Sequence, residues 1–222
     1  MAEQAEEHSK TSFLDLPAEL RNNIYRLCLV APGSVHIIAN PETEEPRIDA
    51  QTTFANTDSS LFAPGLLRSC KQIKHEAISI LYGENVFHIQ DLDVGRPFFL
   101  QITGSVRHIR DVSLRSAMCY KTTMMRLLPR LREAPKLRKL TLEFDVGLVY
   151  SGSPTHVEQA ARSLGPLMRH IWRQRKPIDK NEVLDIVHWT DAWRGQKSQQ
   201  AADQMTAKYR ADVKAVIGKT LK

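Results

Sequence analysis

Several fragments of this sequence carry residue types that do chemistry elsewhere, and each fails on spacing. His75-Glu76-Ala77-Ile78-Ser79 opens like the HExxH helix of zinc proteases, but serine stands where the second imidazole is needed. Without two histidines on one helical face there is no zinc site to build. Gly218-Lys219-Thr220 resembles the end of a phosphate-binding loop. The glycine that should precede it is Val213, and only two residues follow where a helix should open. Eight histidines are scattered without ligand-spaced cysteine partners, no GxSxG elbow occurs, and no glycine-rich fingerprint follows a strand. A Ser-His-Asp set assembles in space rather than in sequence, so sequence does not exclude one. The expectation is nonetheless a protein that is not an enzyme, with no catalytic residues, no cofactor, no metal and no small-molecule substrate.

Binding chemistry is better represented. The net charge of +6 divides unevenly: residues 1–60 carry four basic and ten acidic groups, and 61–222 carry 27 and 15. Within 106–139, ten basic groups face only Asp111 and Glu133. Such a stretch can meet phosphate, or it can be the solvated faces of helices and strands. If it binds nucleic acid, Arg107, Arg110, Arg115, Lys121, Arg126 and Arg130 should share one exposed face. Late in the chain Trp172, Trp189 and Trp193 stand beside Arg173, Arg175 and Arg194. Aromatics interleaved with arginine either stack bases or anchor a partner, or they close a core edge and leave the guanidinium groups in water.

The elements that must position these residues follow from periodicity. Residues 1–11 are polar and without period, a disordered lead-in. Leu16-Pro17 opens a helix in which Glu19 meets the N-terminal dipole, and which should stop by Ala31-Pro32-Gly33. Its stripe Leu20/Ile24/Leu27 is expected to face the core. Val35–Ala39 reads as a short strand and 40–65 as a long, largely irregular insertion. A second helix spans Leu66–Tyr82, with Leu66, Cys70, Ile73, Ala77 and Ile80 inward and Gly83 as a left-handed cap. Strands are expected over 86–90, 108–114, 138–144 and 183–189. Two of them echo each other, "HIRDVSL" and "KLRKLTL" standing 28 residues apart with a helical pattern between. That is either a βαβ unit or two turns like a leucine-rich repeat, and in both cases the strands are parallel neighbours. A helix from Ser153-Pro154 should be kinked or interrupted at Gly165-Pro166, and a polar helix should close the chain.

The fold class is therefore α+β: N-terminal helices packed on a small mixed sheet with a βαβ or repeat-like unit, and C-terminal helices. The expected units are a 1–11 tail, one domain over 12–195, and a 196–222 helix. The longest clean apolar run, Leu27–Ala31, is far short of the ~20 residues that span a bilayer. The acidic N-terminus is unlike a secretion signal. Three scattered cysteines, Cys28, Cys70 and Cys119, fit small buried thiols in a reducing compartment. The expectation is an intracellular protein, cytoplasmic or nuclear, that does not engage a membrane.

Two segments carry a likeness. "FLDLPAELRNNIYRLCL" (Phe13–Leu29) and "LLRSCKQIKHEAISILYGENVFHI" (Leu66–Ile89) together resemble a group of fungal F-box-like domains of unknown function, within a span, 13–89, of about a third of the chain. The resemblance implies a protein-interaction module, with Leu16, Pro17, Leu20 and Ile24 forming an apolar edge for the adaptor subunit of a cullin-type ubiquitin ligase. A downstream repeat-like module would then hold the substrate. The alternative function is nucleic-acid binding through 106–139.

Overall fold

The fold comes from a computed structural model that describes residues 12–40, 42–43, 45–49, 62–90, 92–115, 121–144, 154–176, 179–191 and 199–221. The expected tail at 1–11, Cys119, Trp193 and Arg194 lie outside them.

Each parallel strand buries apolar side chains two residues apart, at Val35/Ile37, Phe87/Ile89, Val112/Leu114, Leu140/Leu142 and Val187/Trp189, so a sheet with one dry face is the structure they can satisfy. Strands β1 (Ser34–Ala39), β3 (Val86–Ile89), β4 (Asp111–Arg115), β5 (Lys139–Phe144) and β6 (Val187–Asp191) lie side by side in chain order, all parallel. β2 (Pro46–Asp49) adds an antiparallel edge beside β1. The register forms two apolar rows, Val35-Phe87-Val112-Leu140-Val187 and Ile37-Ile89-Leu114-Leu142-Trp189, buried throughout.

A parallel sheet wound in one direction with right-handed crossovers returns its helices to the same side each time. The contacts agree. Tyr82 of α2 (Lys71–Glu84) stacks on Phe87 at 5.7 Å, and Phe98 of α3 (Leu92–Gln101) sits 5.7 Å from the same ring. Gly95 of α3 marks the closest approach: a Cβ there would stand 2.6 Å from Leu127 of α4 (Lys121–Leu131) and 3.0 Å from Ile89. At the other end, α5 (Pro154–Arg175) packs on α4, and α7 (Gln199–Gly218) packs on α5 and β6, with Tyr209 edge-on to Trp189 at 5.2 Å. One hydrophobic cluster runs from Tyr25 in α1 (Ala18–Leu29) to Leu221.

The repeat is visible in the register. Val86 pairs with Asp111 and Asp111 with Lys139, steps of 25 and 28 residues, inside the range of leucine-rich repeats. The flanking steps, Ser34 to Val86 and Leu140 to Val187, are 52 and 47 residues, so the regular period covers only three strands.

Several expectations are corrected. Residues 46–49 of the insertion form β2, and Pro64–Arg68 form a 3-10 turn. The helix expected over 66–82 starts at Lys71 because Cys70 is extended (φ −155°) and caps it, its Sγ accepting from the Ile73 amide. Cys70 is accordingly exposed and Cys28 half-buried, not small buried thiols. Gly83 is helical rather than a left-handed cap. Its need for glycine is space, since a Cβ would meet the His108 carbonyl at 3.2 Å. Residues 103–108 form a 3-10 turn ahead of β4. Residues 180–184 form α6 (Lys180–Leu184), capped by the Asp179 carboxylate, so the last strand begins at Val187. Pro166 sits inside α5, which runs through without interruption.

Candidate functional site

The opening of the chain is fixed by polar contacts. Ser12 and Asp15 form a reciprocal capping box around the 3-10 turn Phe13–Asp15. Leu16 and Pro17 stay extended, and Arg21, one turn into α1, donates from its guanidinium to the Leu14 and Leu16 carbonyls. The same guanidinium grips Glu76 of α2 through two bonds, at 2.9 and 2.8 Å, while the Tyr25 hydroxyl donates to Glu76 at 2.8 Å. Arg21, Gln72 and Tyr25 all donate to this carboxylate and lower its pKa to about 2. Burial, then Glu76, pushes the Tyr25 hydroxyl up to about 12.

The inward face of α1 is therefore Arg21, Tyr25 and Leu29, not the aliphatic stripe. Leu20 is 50% exposed and Leu27 67%, Pro17 is exposed, and Leu16 and Ile24 are half-buried. The expectation that Leu20/Ile24/Leu27 packs into the core is overturned. Tyr25 fills the interface with a large ring under a satisfied hydroxyl, and that places the stripe about 130° round the helix. Beside Leu27 a shallow groove is lined by Asn23, Val30, Ala31 and Pro32, with the Arg26–Glu84 pair at its rim.

The sheet face opposite the apolar rows is polar. His36, His88, Ser113, Thr141 and His188 form a single cross-sheet row. The His36 and His88 rings lie 4.7 Å apart; His88 Nδ1 is 3.2 Å from Ser113 Oγ, which donates to Glu143 at 2.8 Å. These three residue types compose a hydrolase triad elsewhere, but here Nδ1 of His88 meets both the hydroxyl and, at 3.4 Å, the carboxylate. A relay needs those partners on opposite ring nitrogens. Burial lowers the His88 pKa, with His36 and Arg115 adding to the effect and Glu143 opposing it.

The six cations expected on one face are divided. Arg107 and Arg110 sit at the edge where the parallel strands start, whereas Arg115 ends β4, about 13 Å along the strand from Asp111. Arg130 is half-buried and paired with Glu133 at 3.3 Å. The side chains of Lys121 and Arg126 lie outside the described residues. The fold brings other cations to the first pair. Arg138 and Lys139 both donate backbone N–H groups to the Arg110 carbonyl, at 2.8 and 3.1 Å, and Lys136 lies close enough to help lower the His108 pKa, after burial and Arg107. The signal was present in the repeat, since Arg110 and Arg138 occupy its equivalent positions.

The remaining fragments are structural. His75 is exposed while Glu76 holds Arg21. Gly218 closes α7, and the Thr220 hydroxyl donates to the Ile217 carbonyl. Trp189 is core, Trp172 is half-buried, and Arg175 reaches the Pro135 and Leu137 carbonyls. Among the described residues no group of three or more metal-ligating side chains occurs, and no helix is long and apolar enough to cross a membrane.

A family model described as a domain of unknown function (DUF7730) matches residues 6–140. No curated protein and no solved structure matches the chain.

Proposed function

The chain belongs to this family of domains of unknown function, and on that premise we propose that it is a non-enzymatic protein-interaction module, F-box-like in kind, acting inside the cell. Its docking surface is the outer edge of α1, and its partner is the adaptor subunit of a cullin-type ubiquitin ligase. The observation that carries the reading is the exposure of Leu20 and Leu27 on one helix whose inner face is already satisfied. Exposed leucines seven residues apart, with half-buried Ile24 between and Pro17 at the helix start, make a continuous apolar stripe. A stripe of this kind is the centre an interface covers. The helix is also held rigidly, because the Arg21–Glu76–Tyr25 contacts fix its rotation, so little ordering cost falls on binding. Against an enzyme stands the arrangement of His88, Ser113 and Glu143, which satisfies three polar groups on a sheet face without preparing a nucleophile.

A pull-down with the isolated adaptor subunit tests this. The wild type should bind, and Leu20→Ser/Leu27→Ser should weaken binding by about 10–100-fold, the loss of one or two interface anchors. Since both side chains are largely in water, the variant should keep the wild-type thermal midpoint. No binding by the wild type, or equal binding by a folded variant, ends the adaptor reading.

A further inference from the structure

A second surface lies at the edge where the parallel strands start, and it is built from charge. Ser34, Val86, Asp111 and Lys139 form the first cross-sheet row there. Chain segments returning to this edge deliver Arg107 from the 3-10 turn before β4, and Arg132 and Lys136 from the turn between α4 and β5. Acids at this edge are already engaged: Asp111 by Arg138 at 2.7 Å, Glu133 by Arg130 at 3.3 Å, Glu84 by Arg26 at 3.0 Å, and Asp185 by Lys214 and Arg210. Arg107, Arg110, Arg132, Lys136 and Lys139 form no ion pair among the described residues, and all but half-buried Arg110 are exposed. Cations at helix C-termini can simply answer the helix dipole, which accounts for Arg130. Arg110 and Lys139 belong to no helix, so the dipole does not explain them.

We propose that this strand-start edge binds the phosphodiester backbone of nucleic acid. The five unpaired cations from β4, β5 and their approach turns gather at one edge, enough to neutralise about four phosphates. The contact assigned to this edge is with phosphates, and base stacking adds nothing to it. Among the described residues the exposed large apolar side chains are Leu20, Leu27, Val86, Leu100 and Met125, and none offers a ring for stacking. Binding through phosphates is therefore steep in salt. Neutralising about four phosphates gives a logarithmic slope near −3.6, roughly a 100-fold loss between 50 and 200 mM salt.

The test uses the full chain and a fluorescein-labelled 20-base-pair DNA duplex, read by anisotropy. Lys136→Glu/Lys139→Glu should weaken binding at least tenfold and flatten the salt slope by about 2. Lys71→Glu/Lys74→Glu makes the same charge change on exposed positions at the far end of α2 and should leave the salt slope near that of the wild type. Circular dichroism confirms that both variants are folded. Absence of wild-type binding at 50 mM salt overturns the proposal, and so does equal weakening by both variants, which would mean net charge and not this edge. Polyglutamate displacing the duplex at equal charge concentration would make the edge an acidic-protein surface and overturn it as well.

Discussion

Glu76 is the residue on which the opening of the chain turns. It takes bonds from Arg21, Tyr25 and Gln72, and its pKa falls to about 2 from the ordinary 4.5. A carboxylate whose folded pKa is depressed contributes stability that is fully present above its unfolded value and is lost as pH falls through the folded one. The stability difference between wild type and Glu76→Gln should thus be greatest above pH 5, narrow below about 4.5 and vanish near 2. Urea midpoints measured from pH 2 to 7 check this; a pH-independent difference would mean that the amide's shape, not the charge, matters. The sequence conceals this role for a physical reason. Glu76 sits in a fragment that looks like zinc chemistry, and its partners are polar-headed residues, so counting apolar positions assigns α1 the wrong inner face. Tyr25 is fully buried by its ring and satisfied at its hydroxyl, and no hydrophobic period records that.

At the scale of elements, α1, α2, β1 and β3 meet at one side chain. Asn85 is 2% exposed, and its amide donates to the Leu29 and Leu81 carbonyls while its oxygen accepts from the Ala31 amide. It closes the ends of two helices just as the chain turns into β3. Asn85→Ala would orphan buried backbone groups on both sides and should cost about 3 kcal/mol, since each such group lost is worth about 1–3. A chemical-denaturation midpoint within error of the wild type would refute this. Asn85 lies within the 6–140 stretch that the family model matches, so part of what that family shares is a junction of the fold. Element prediction succeeded where local signals and packing agreed. The 28-residue echo appears as the Asp111↔Lys139 register, and its matched alternation excludes a one-residue slip that would turn Val112 and Leu114 to solvent. No element is expected over 92–101, where tertiary contacts override local preference. α3 contains Gly95 and Pro97, which argue against a helix, yet Val94, Phe98 and Phe99 are buried along it and glycine alone fits under Leu127. The basic edge was legible only in part, because linear distance grouped Arg115 with Arg110 although they stand at opposite ends of one strand.

The whole molecule extends beyond the segment its family match covers. That match ends at Leu140, the second residue of β5, leaving β6 and helices α5, α6 and α7 outside it. Those elements are not an independent addition. Leu164, Leu167, Met168 and Ile171 of α5 are buried in the same cluster as Leu127, Leu128 and Leu131 of α4. Trp189 and Val187 complete the apolar rows of the sheet beside Leu142 and Leu140. Tyr209, Val213 and Ile217 of α7 cover Trp189 and α5 in turn, so the polar C-terminal helix is part of the core it appears from composition to flank. A fragment ending at Phe144 would expose the outer side of α4 and leave β5 as a bare, apolar sheet edge. Fully burying each such side chain contributes about 1.5–3 kcal/mol, so losing a handful of them is comparable to the whole 5–15 kcal/mol that holds a domain together. An open apolar strand is also a template for self-association. The fragment 1–144 should therefore be aggregated or lack a cooperative thermal transition where the 222-residue chain shows one. Light scattering and a circular-dichroism melt decide it. A monomeric fragment that melts cooperatively would show that the family segment folds alone, and that the C-terminal helices cover a surface that survives in water without them.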